Sequence, residues 1–194
     1  MEPVTCTPKT AFPFFRWFAI CVTVSVAICT VVAADTREYQ VKAAFVHKFT
    51  LFAEYPADVA SDKSTFDICI PGDNPFGDAF APVEGKKLNG RPLVIRPLPQ
   101  DAIDHGLFIC DVVYLSHQLP DSQQRRLLHQ LRESPVLTIG EDARFLEMGG
   151  IIRLYRNRNR IVFSVNTAAA RRAGIQFRSQ MLRIADQVID KEPQ

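Results

Sequence analysis

A nine-residue stretch, Phe108–Ser116, constrains the fold of this chain more than any other segment. It is rich in β-branched and aromatic residues, and it lies between two turn-forming sequences, Asp104–Gly106 and Leu119–Asp121. A short apolar run bounded in this way is typical of a strand that is buried on both faces. The stretch therefore predicts the central strand of a sheet, and it carries Cys110.

The first 34 residues have the composition of a secretory signal peptide. Lys9 and Arg16 supply a basic start, Phe18–Val32 is an uncharged apolar run, and Val32–Ala34 offers the small residues that signal peptidase needs. A membrane span needs about 20 apolar residues, so a cleaved signal peptide (residues 1–34) is favoured over an uncleaved anchor. We expect cleavage after about Ala34 and export of one domain, residues 35–194.

The exported part has a nearly balanced charge. It keeps 160 of the 194 residues, with 21 basic and 20 acidic side chains. This length suffices to bury a hydrophobic core. Nucleic-acid-binding domains need a strong positive excess, so the composition predicts that nucleic acid is not a partner.

Two of the five cysteines, Cys69 and Cys110, lie outside the predicted signal peptide. An even number of cysteines in an exported chain indicates a disulfide, because that compartment is oxidising. The alternative is two separate buried thiols. The chain has no C-x-x-C motif, which argues against a thioredoxin-type oxidoreductase.

The first half of the exported chain alternates helices with strands. Apolar spacing predicts a helix over Glu38–Ala53 that buries Val41, Ala44, Phe45, Phe49 and Phe52. Strands are predicted at Phe66–Ile70, at Arg91–Leu98 on a sheet edge, at Leu107–Ser116 and at Pro135–Ile139, with short helices at Phe76–Pro82 and Glu141–Met148 and a longer helix that Asp121 caps and that runs to Glu133.

The last third of the chain shows a different pattern. Ile151–Tyr155 and Arg160–Val165 predict a β-hairpin, followed by helices at Ala168–Ala173 and Ser179–Ile189. The predicted fold is α/β: a mixed, mostly parallel sheet with helices on both faces and a C-terminal β-hairpin plus helix. A flavodoxin-like strand order would bring Cys69 and Cys110 onto neighbouring strands within bridging distance.

No set of residues predicts catalysis. The four histidines have no metal-ligand spacing, and the nucleophile elbow G-x-S-x-G is absent. We therefore predict no catalytic residue, no metal and no cofactor. Asp73 and Ser116 follow strands at the edge where open α/β sheets bind ligands, so a small-ligand-binding module is the alternative function, and an unrecognised hydrolase is a third.

Arginine and aromatic side chains accumulate late in the chain, and protein interfaces are enriched in both. This composition is compatible with a partner-binding surface, but by itself it slightly favours the alternative, a solvated hairpin and helix face with the same residues. The candidate residues are Tyr155, Arg156, Arg158, Arg160, Arg171, Arg172, Phe177 and Arg178.

Several segments, taken in order, resemble the YfiR-like family of periplasmic proteins. They are Tyr39–Phe45, Ile68–Asp73, Pro75–Gly77, Cys110–Tyr114, Val136–Ile139, Gly149–Ile152, Phe163–Asn166, Ala169–Gly174 and Ser179–Ala185. The chain departs from the family at Glu54-Tyr55-Pro56, where the family usually has a Trp before the Pro. Some relatives carry two disulfides, whereas the exported part of this chain has cysteines for one.

The resemblance implies a non-enzymatic repressor in the periplasm. Such a protein would bind the periplasmic sensor region of an inner-membrane diguanylate cyclase of the YfiN type, and thereby lower cyclic di-GMP and biofilm formation. An outer-membrane lipoprotein of the YfiB type would sequester it. A second copy of the chain, giving a homodimer, is a further candidate partner.

Overall fold

The computed structural model describes residues 36–56, 63–99 and 109–191. The predicted signal peptide, its cleavage site at Ala34 and the turn at Asp104–Gly106 lie outside the described residues, so they remain predictions. Among the described residues, no helix is long and apolar enough to cross a membrane.

A helix, α1, spans residues 36–52 and opens the described part of the chain. The elements that follow as far as the hairpin are β1 (Ala53–Glu54), β2 (Phe66–Pro71), β3 (Lys87–Leu88), β4 (Arg91–Leu98), β5 (Val112–Leu115), α2 (Asp121–Gln130) and β6 (Leu137–Gly140). The remainder comprises β7 (Ile152–Asn157), β8 (Arg160–Asn166), α3 (Thr167–Arg172), β9 (Gln176–Phe177), α4 (Ser179–Leu182) and β10 (Gln187–Ile189).

Eight strands form one mixed sheet in the order β10-β8-β7-β6-β5-β2-β4-β3. Neighbouring strands are parallel except in the β7–β8 hairpin and in the short β3–β4 pair. Strand β2 pairs with β4 on one side and with β5 on the other, as the flavodoxin-like order predicts. The α/β prediction is confirmed. Strand β5 lies inside the sheet, and among the described residues of Phe108–Ser116 the strand is limited to Val112–Leu115.

Side chains alternate between two apolar layers, one on each face of the sheet. On β5, Val112 and Tyr114 face a core that includes Val46 and Phe49 of α1, while Val113 and Leu115 face a second core that includes Leu127 and Leu128 of α2. These four β5 side chains are fully buried. Helices therefore cover both faces, which explains the continuous hydrophobicity of the strand.

The buried face of α1 differs from the predicted one. Tyr39, Ala43, Val46 and Phe49 are buried, whereas Val41 is 42% exposed and Ala44 is exposed. The helix is rotated because Lys42, a polar residue that the pattern places outside, is buried in a network of ion pairs. The predicted α1 face is therefore wrong at Val41 and Ala44.

The C-terminal segment also differs from the prediction. The predicted helix Ser179–Ile189 ends at Leu182, and Gln187–Ile189 form β10, which pairs in parallel with Ser164–Asn166 of β8. The open edge of β8 offers hydrogen-bond partners to these residues, two of which are β-branched. The short helices predicted at Phe76–Pro82 and Glu141–Met148 are series of turns. Asp121 is the first residue of α2 and not its cap, and its carboxylate contacts Arg144.

Candidate protein-binding surface

A disulfide joins β2 to the segment that leads into β5. Cys69 and Cys110 are bonded, with their Cα atoms 5.9 Å apart, as the cysteine count predicts. The pairing of β2 with β5 brings the two cysteines near each other, because Asp111 N, next to Cys110, donates to the carbonyl oxygen of Asp67, two residues before Cys69. Both cysteines are fully buried in the core beneath α2. A bond without solvent access fits a structural role, since regulatory disulfides are strained or exposed.

A cluster of polar side chains lies at the carboxyl ends of β5 and β6. Its centre is the Glu141 carboxylate, which is only 9% exposed. Lys42 Nζ donates to Glu141 Oε2 at 3.0 Å, and His117 Nδ1 lies 3.1 Å from the same oxygen. The hydroxyl groups of Tyr39 and Tyr114 donate to Oε1. Both carboxylate oxygens are therefore occupied, which suits anchoring of α1 to the sheet rather than proton abstraction.

The charges in this cluster are compensated. Lys42 lies between Glu141 and Glu38, whose Oε1 is 2.7 Å from its Nζ. Burial, together with the negative charge and hydrogen bond of Glu141, raises the pKa of Tyr114 well above its ordinary value. The phenol therefore remains protonated and donates its hydrogen bond to the carboxylate. Among the described residues, no three His, Cys, Asp or Glu side chains form a group that could hold a metal ion.

The hairpin carries exposed arginines next to this cluster. Its loop consists of Arg158 and Asn159, and Arg158 has a φ of 54°. Arg156 NH1 lies 3.5 Å from Glu38 Oε2, and its Nε donates to the Arg158 carbonyl oxygen. The guanidinium groups of Arg158 and Arg160 contact no acidic side chain of the described residues. The loop therefore presents uncompensated positive charge to solvent.

A groove of about 900 Å³ runs beside the hairpin. We call it the hairpin groove; it is lined by Phe45 of α1, by residues 157–163 and by residues 184–186. Ile184 is 70% exposed there, the largest exposure among the large hydrophobic side chains of the described residues. A shallower apolar depression on α1, lined by Gln40, Val41, Ala44, Phe45 and Lys48, shares Phe45 with the groove.

Tyr155 contacts the wall of the groove through its hydroxyl group. Its ring lies under the Arg153 guanidinium, 4.1 Å away, and its hydroxyl contacts Asp186 and Ser164. Burial and the hydrogen bond to Asp186 raise the pKa of Tyr155. Its polar atom is therefore engaged with Asp186 in the groove wall and is less available to a partner than the arginines are.

The structure separates the predicted partner-binding residues into distinct locations. Tyr155, Arg156, Arg158 and Arg160 share the hairpin. Arg171 and Arg172 belong to α3, which follows the far end of β8, about 20 Å of strand from Arg160. Arg171 pairs with Asp190 at 2.7 Å, and burial, followed by the nearby Arg132, lowers the pKa of Arg172.

Phe177 and Arg178 lie at the other end of α1. Phe177 pairs with Ala53 in the small β1–β9 sheet, and Arg178 Nε lies 3.1 Å from Glu54 Oε1. Arg156 contacts Glu38 near the amino end of the same helix, which is about 20 Å away along its axis. Sequence reasoning missed the contribution of Phe45, Lys48 and Ile184 to this surface. Helical spacing assigned Phe45 to the buried face of α1, and no local signal marked Lys48 or Ile184.

A second, smaller cavity lies at the topological switch point, where the strand order of the sheet reverses. It has a volume of about 310 Å³ between the carboxyl ends of β2 and β5. Its lining residues are Pro71, Gly72, Asp73, Pro99, Ser116, Gln118 and Leu119. Open α/β sheets bind ligands at this switch point.

Residues 39–186 match the family model described as YfiR/HmsC-like. The chain belongs to the YfiR/HmsC-like family. The matched range contains the disulfide, the polar cluster and the hairpin groove. At the level of the family, membership supports a periplasmic regulator in cyclic di-GMP signalling rather than an enzyme.

Among solved structures, the chain is similar to a conserved domain protein from Vibrio cholerae O1 biovar El Tor. The two are 12% identical with a TM-score of 0.46, and the match covers 67% of this chain and 56% of that chain. The chain thus spans less than two thirds of the length of that protein. No curated protein matches this YfiR/HmsC-like chain.

Proposed function

We propose that this chain is exported to the periplasm, where it binds the periplasmic sensor region of an inner-membrane diguanylate cyclase. It is a non-enzymatic repressor that lowers cyclic di-GMP and biofilm formation. Family membership supports the signalling context. The observation that carries the binding role is the hairpin groove, which combines uncompensated arginines with the exposed apolar side chain of Ile184.

Repression follows from differential affinity. A protein that binds the inactive conformation of the cyclase more tightly than the active one shifts the population towards the inactive state. A ratio of about 100 in the two affinities corresponds to about 2.7 kcal/mol, within the range of known allosteric couplings. An outer-membrane lipoprotein that competes for the groove would relieve this repression.

The hairpin groove combines positive charge with apolar surface, and this combination supports specificity for the partner. Arg158 and Arg160 provide positive charge that steers an acidic surface towards the groove, while Ile184 and Phe45 provide apolar area that is buried on contact. Charged rims mainly change the association rate, whereas buried apolar anchors mainly change the dissociation rate.

The test is binding in vitro combined with signalling in the cell. The exported chain and the recombinant periplasmic region of a cyclase encoded beside it should form a complex, and deletion of the gene should raise cyclic di-GMP. A chain with Arg158→Glu and Arg160→Glu should fail to restore repression. Arg125→Glu is the control: it reverses the charge of an exposed arginine on α2, which covers the other face of the sheet, and this variant should restore repression. Unchanged cyclic di-GMP after deletion would refute the proposal.

The switch-point cavity supports a second candidate, a periplasmic small-ligand-binding module. Its volume of about 310 Å³ lies at the lower end of the range for ligand sites. Buried Ser116 and the exposed Asp73 carboxylate supply its polar groups. A thermal-shift screen with amino acids and nucleotides tests this candidate. A ligand of this cavity should raise the melting temperature of the parent chain but not that of Asp73→Ala. If no compound behaves in this way, the result counts against this function.

A further inference from the structure

Half of strand β8 has a neighbour on one side only. Strand β7 pairs with Arg160–Val165 of β8, but β10 pairs only with Ser164–Asn166. Among the described residues, no strand therefore pairs with Arg160–Phe163 on the side opposite β7. This free edge forms one wall of the hairpin groove.

The backbone groups along this edge can be assigned from the ladder. In an antiparallel pair, alternate residues bond to the partner strand and the others point away. Asn166 N donates to the Ile151 carbonyl oxygen, so the even-numbered residues of β8 bond to β7. Ile161 and Phe163 therefore direct their N–H and C=O groups away from β7. The Phe163 carbonyl oxygen accepts from Asp186 N at 2.8 Å, which leaves the Ile161 N–H, the Ile161 C=O and the Phe163 N–H facing the groove.

Proteins protect free edges with proline, bulges or inward-pointing charges, because an unprotected edge pairs with another chain. Here the edge residues Ile161, Val162 and Phe163 are all apolar, and no proline interrupts them. The only charge in the free stretch is Arg160 at its end. An extended segment of four residues spans about 13 Å, which matches the length of this edge.

Charge selects the occupant. Arg158 and Arg160 lie beside the edge without an acidic partner among the described residues, and Lys48 borders the adjoining depression on α1. A second copy of the chain that paired through the same edge would bring two sets of these arginines together, and like charges at such distances repel. An acidic segment would instead compensate them.

We propose that the free edge of β8, Arg160–Phe163, accepts an extended acidic segment of the protein partner as an added strand. Main-chain hydrogen bonds to Ile161 and Phe163 would supply affinity, and Arg158 and Arg160 would select acidic side chains. Ile184 would contact the apolar side chains of the added strand. This inference rests on the proposed function, because it describes how the cyclase region occupies the groove.

Two probes separate the inference from the proposed function. The first is the recombinant periplasmic region of the cyclase, and the second is a seven-residue peptide of alternating Glu and Val, with a Lys/Val peptide as its control. Amide hydrogen exchange and two-dimensional NMR of the exported chain report on individual residues. We expect both acidic probes to slow exchange at Ile161 and Phe163, and the Lys/Val peptide to leave these amides unchanged.

The matched variants are Ile161→Pro and Ile161→Val. Proline removes the outward N–H and no bond to β7, so the hairpin should fold while affinity for both probes falls at least tenfold. Valine keeps the N–H, and its affinity should stay within about twofold of the parent. A variant with Arg158→Glu and Arg160→Glu keeps the backbone edge but should lose binding to the acidic peptide.

Each outcome is decisive. The cyclase region could bind without slowing amide exchange at Ile161 and Phe163, and could bind a folded Ile161→Pro variant with normal affinity. These two results together would overturn the strand addition and leave the proposed function standing. If the cyclase region does not bind, but the Glu/Val peptide slows exchange at Ile161 and Phe163, the proposed function is refuted and the β8 edge is supported as a site for an acidic strand. Concentration-dependent dimerisation that protects these amides would identify a second copy as the occupant and overturn the acidic partner.

Discussion

Lys42 of α1 and Glu141 after the end of β6 form a buried ion pair, with Nζ 3.0 Å from Oε2, although they are 99 positions apart in sequence. Only 4% of the Lys42 side chain and 9% of the Glu141 side chain are exposed. The pair joins the first helix to the centre of the sheet and orients the α1 surface that continues into the hairpin groove.

Breaking this pair should destabilise the fold. Lys42→Met should lower the free energy of unfolding by about 3 kcal/mol, because the Glu141 carboxylate would stay buried without its cation. A double-mutant cycle with Glu141→Gln measures the coupling by urea denaturation. The double variant should lose less stability than the two single variants together. Strict additivity would show that the two side chains do not interact.

The disulfide should contribute strongly to stability. Cys69 and Cys110 are 41 residues apart, so the chain-entropy model gives about 4 kcal/mol, and native disulfides of small exported domains contribute about 2–5 kcal/mol. Cys110→Ala should lower the free energy of unfolding by that amount in urea denaturation without reductant. Reductant should lower the stability of the parent chain but not that of the variant. An unchanged melting temperature in Cys110→Ala would contradict this prediction.

Stability should fall in alkaline solution because of Tyr55 and Tyr114. Burial raises the pKa of both phenols above the ordinary value of 10, and the charges of Asp111 and Glu141, respectively, add to the effect. The unfolded chain therefore releases these phenol protons at a lower pH than the folded chain does. The two tyrosines cost no stability below about pH 10, and the free energy of unfolding falls as the pH rises above 10 towards the pKa of the folded state. Each tyrosine should contribute a loss of about 1.4 kcal/mol per pH unit above 10.

Urea denaturation between about pH 8 and about pH 11 measures this slope. Tyr55→Phe removes one titrating group and should reduce the slope by about half of the tyrosine contribution. Tyr39→Phe is not a suitable control because Tyr39 is buried and belongs to the polar cluster, so the parent chain serves as the reference. Equal slopes in the parent and in Tyr55→Phe would count against the assignment.

Ile184 should contribute to binding and not to folding. It is 70% exposed in the hairpin groove, so Ile184→Ser should leave the melting temperature unchanged while it weakens binding of the cyclase region about tenfold. Ile109 is the matched control, because it is 58% exposed and lies outside the groove, before the amino end of the interior strand β5. Equal effects of Ile184→Ser and Ile109→Ser on binding would remove the groove from the interface.

The Phe145 ring requires glycine on both sides. A Cβ atom at Gly140 or Gly150 would overlap this ring, which is fully buried. Gly150→Ala should therefore lower the free energy of unfolding by about 1–3 kcal/mol through overpacking. Phe145→Leu should partly restore stability when combined with Gly150→Ala, measured by urea denaturation. Gly77→Ala is the control, because Gly77 has a positive φ but a Cβ atom there would meet nothing within 4 Å. It therefore measures the cost of backbone strain without a clash.

Local sequence patterns predicted the sheet well. The β-branched runs at Phe66–Ile70 and Arg91–Leu98 coincide with β2 and β4 to within one residue. Their buried side chains and the turn formers after them are local signals. The same signals failed for α1, because the burial of Lys42 depends on Glu141, which is distant in sequence.

The C-terminal segment shows the opposite limit. Leu182, Ala185 and Val188 recur at the three-residue spacing of a helix, yet Val188 lies on a strand because β8 has an open edge beside it. A local pattern contains no information about such an edge. The separation of Arg178 from Arg156 is equally invisible in the sequence, because it depends on their ion-pair partners Glu54 and Glu38, which lie near opposite ends of α1.

The sequence by itself determined the α/β class, the central position of the strand that follows Cys110, the pairing of Cys69 with Cys110 and the family. Each of these follows from local composition, from the cysteine count or from motifs in order. Tertiary structure alone decided which arginines share a surface, which side of α1 faces solvent and that half of β8 remains a free edge. Those features depend on contacts between distant segments, whose energies outweigh local preference when a buried charge or a backbone group needs a partner.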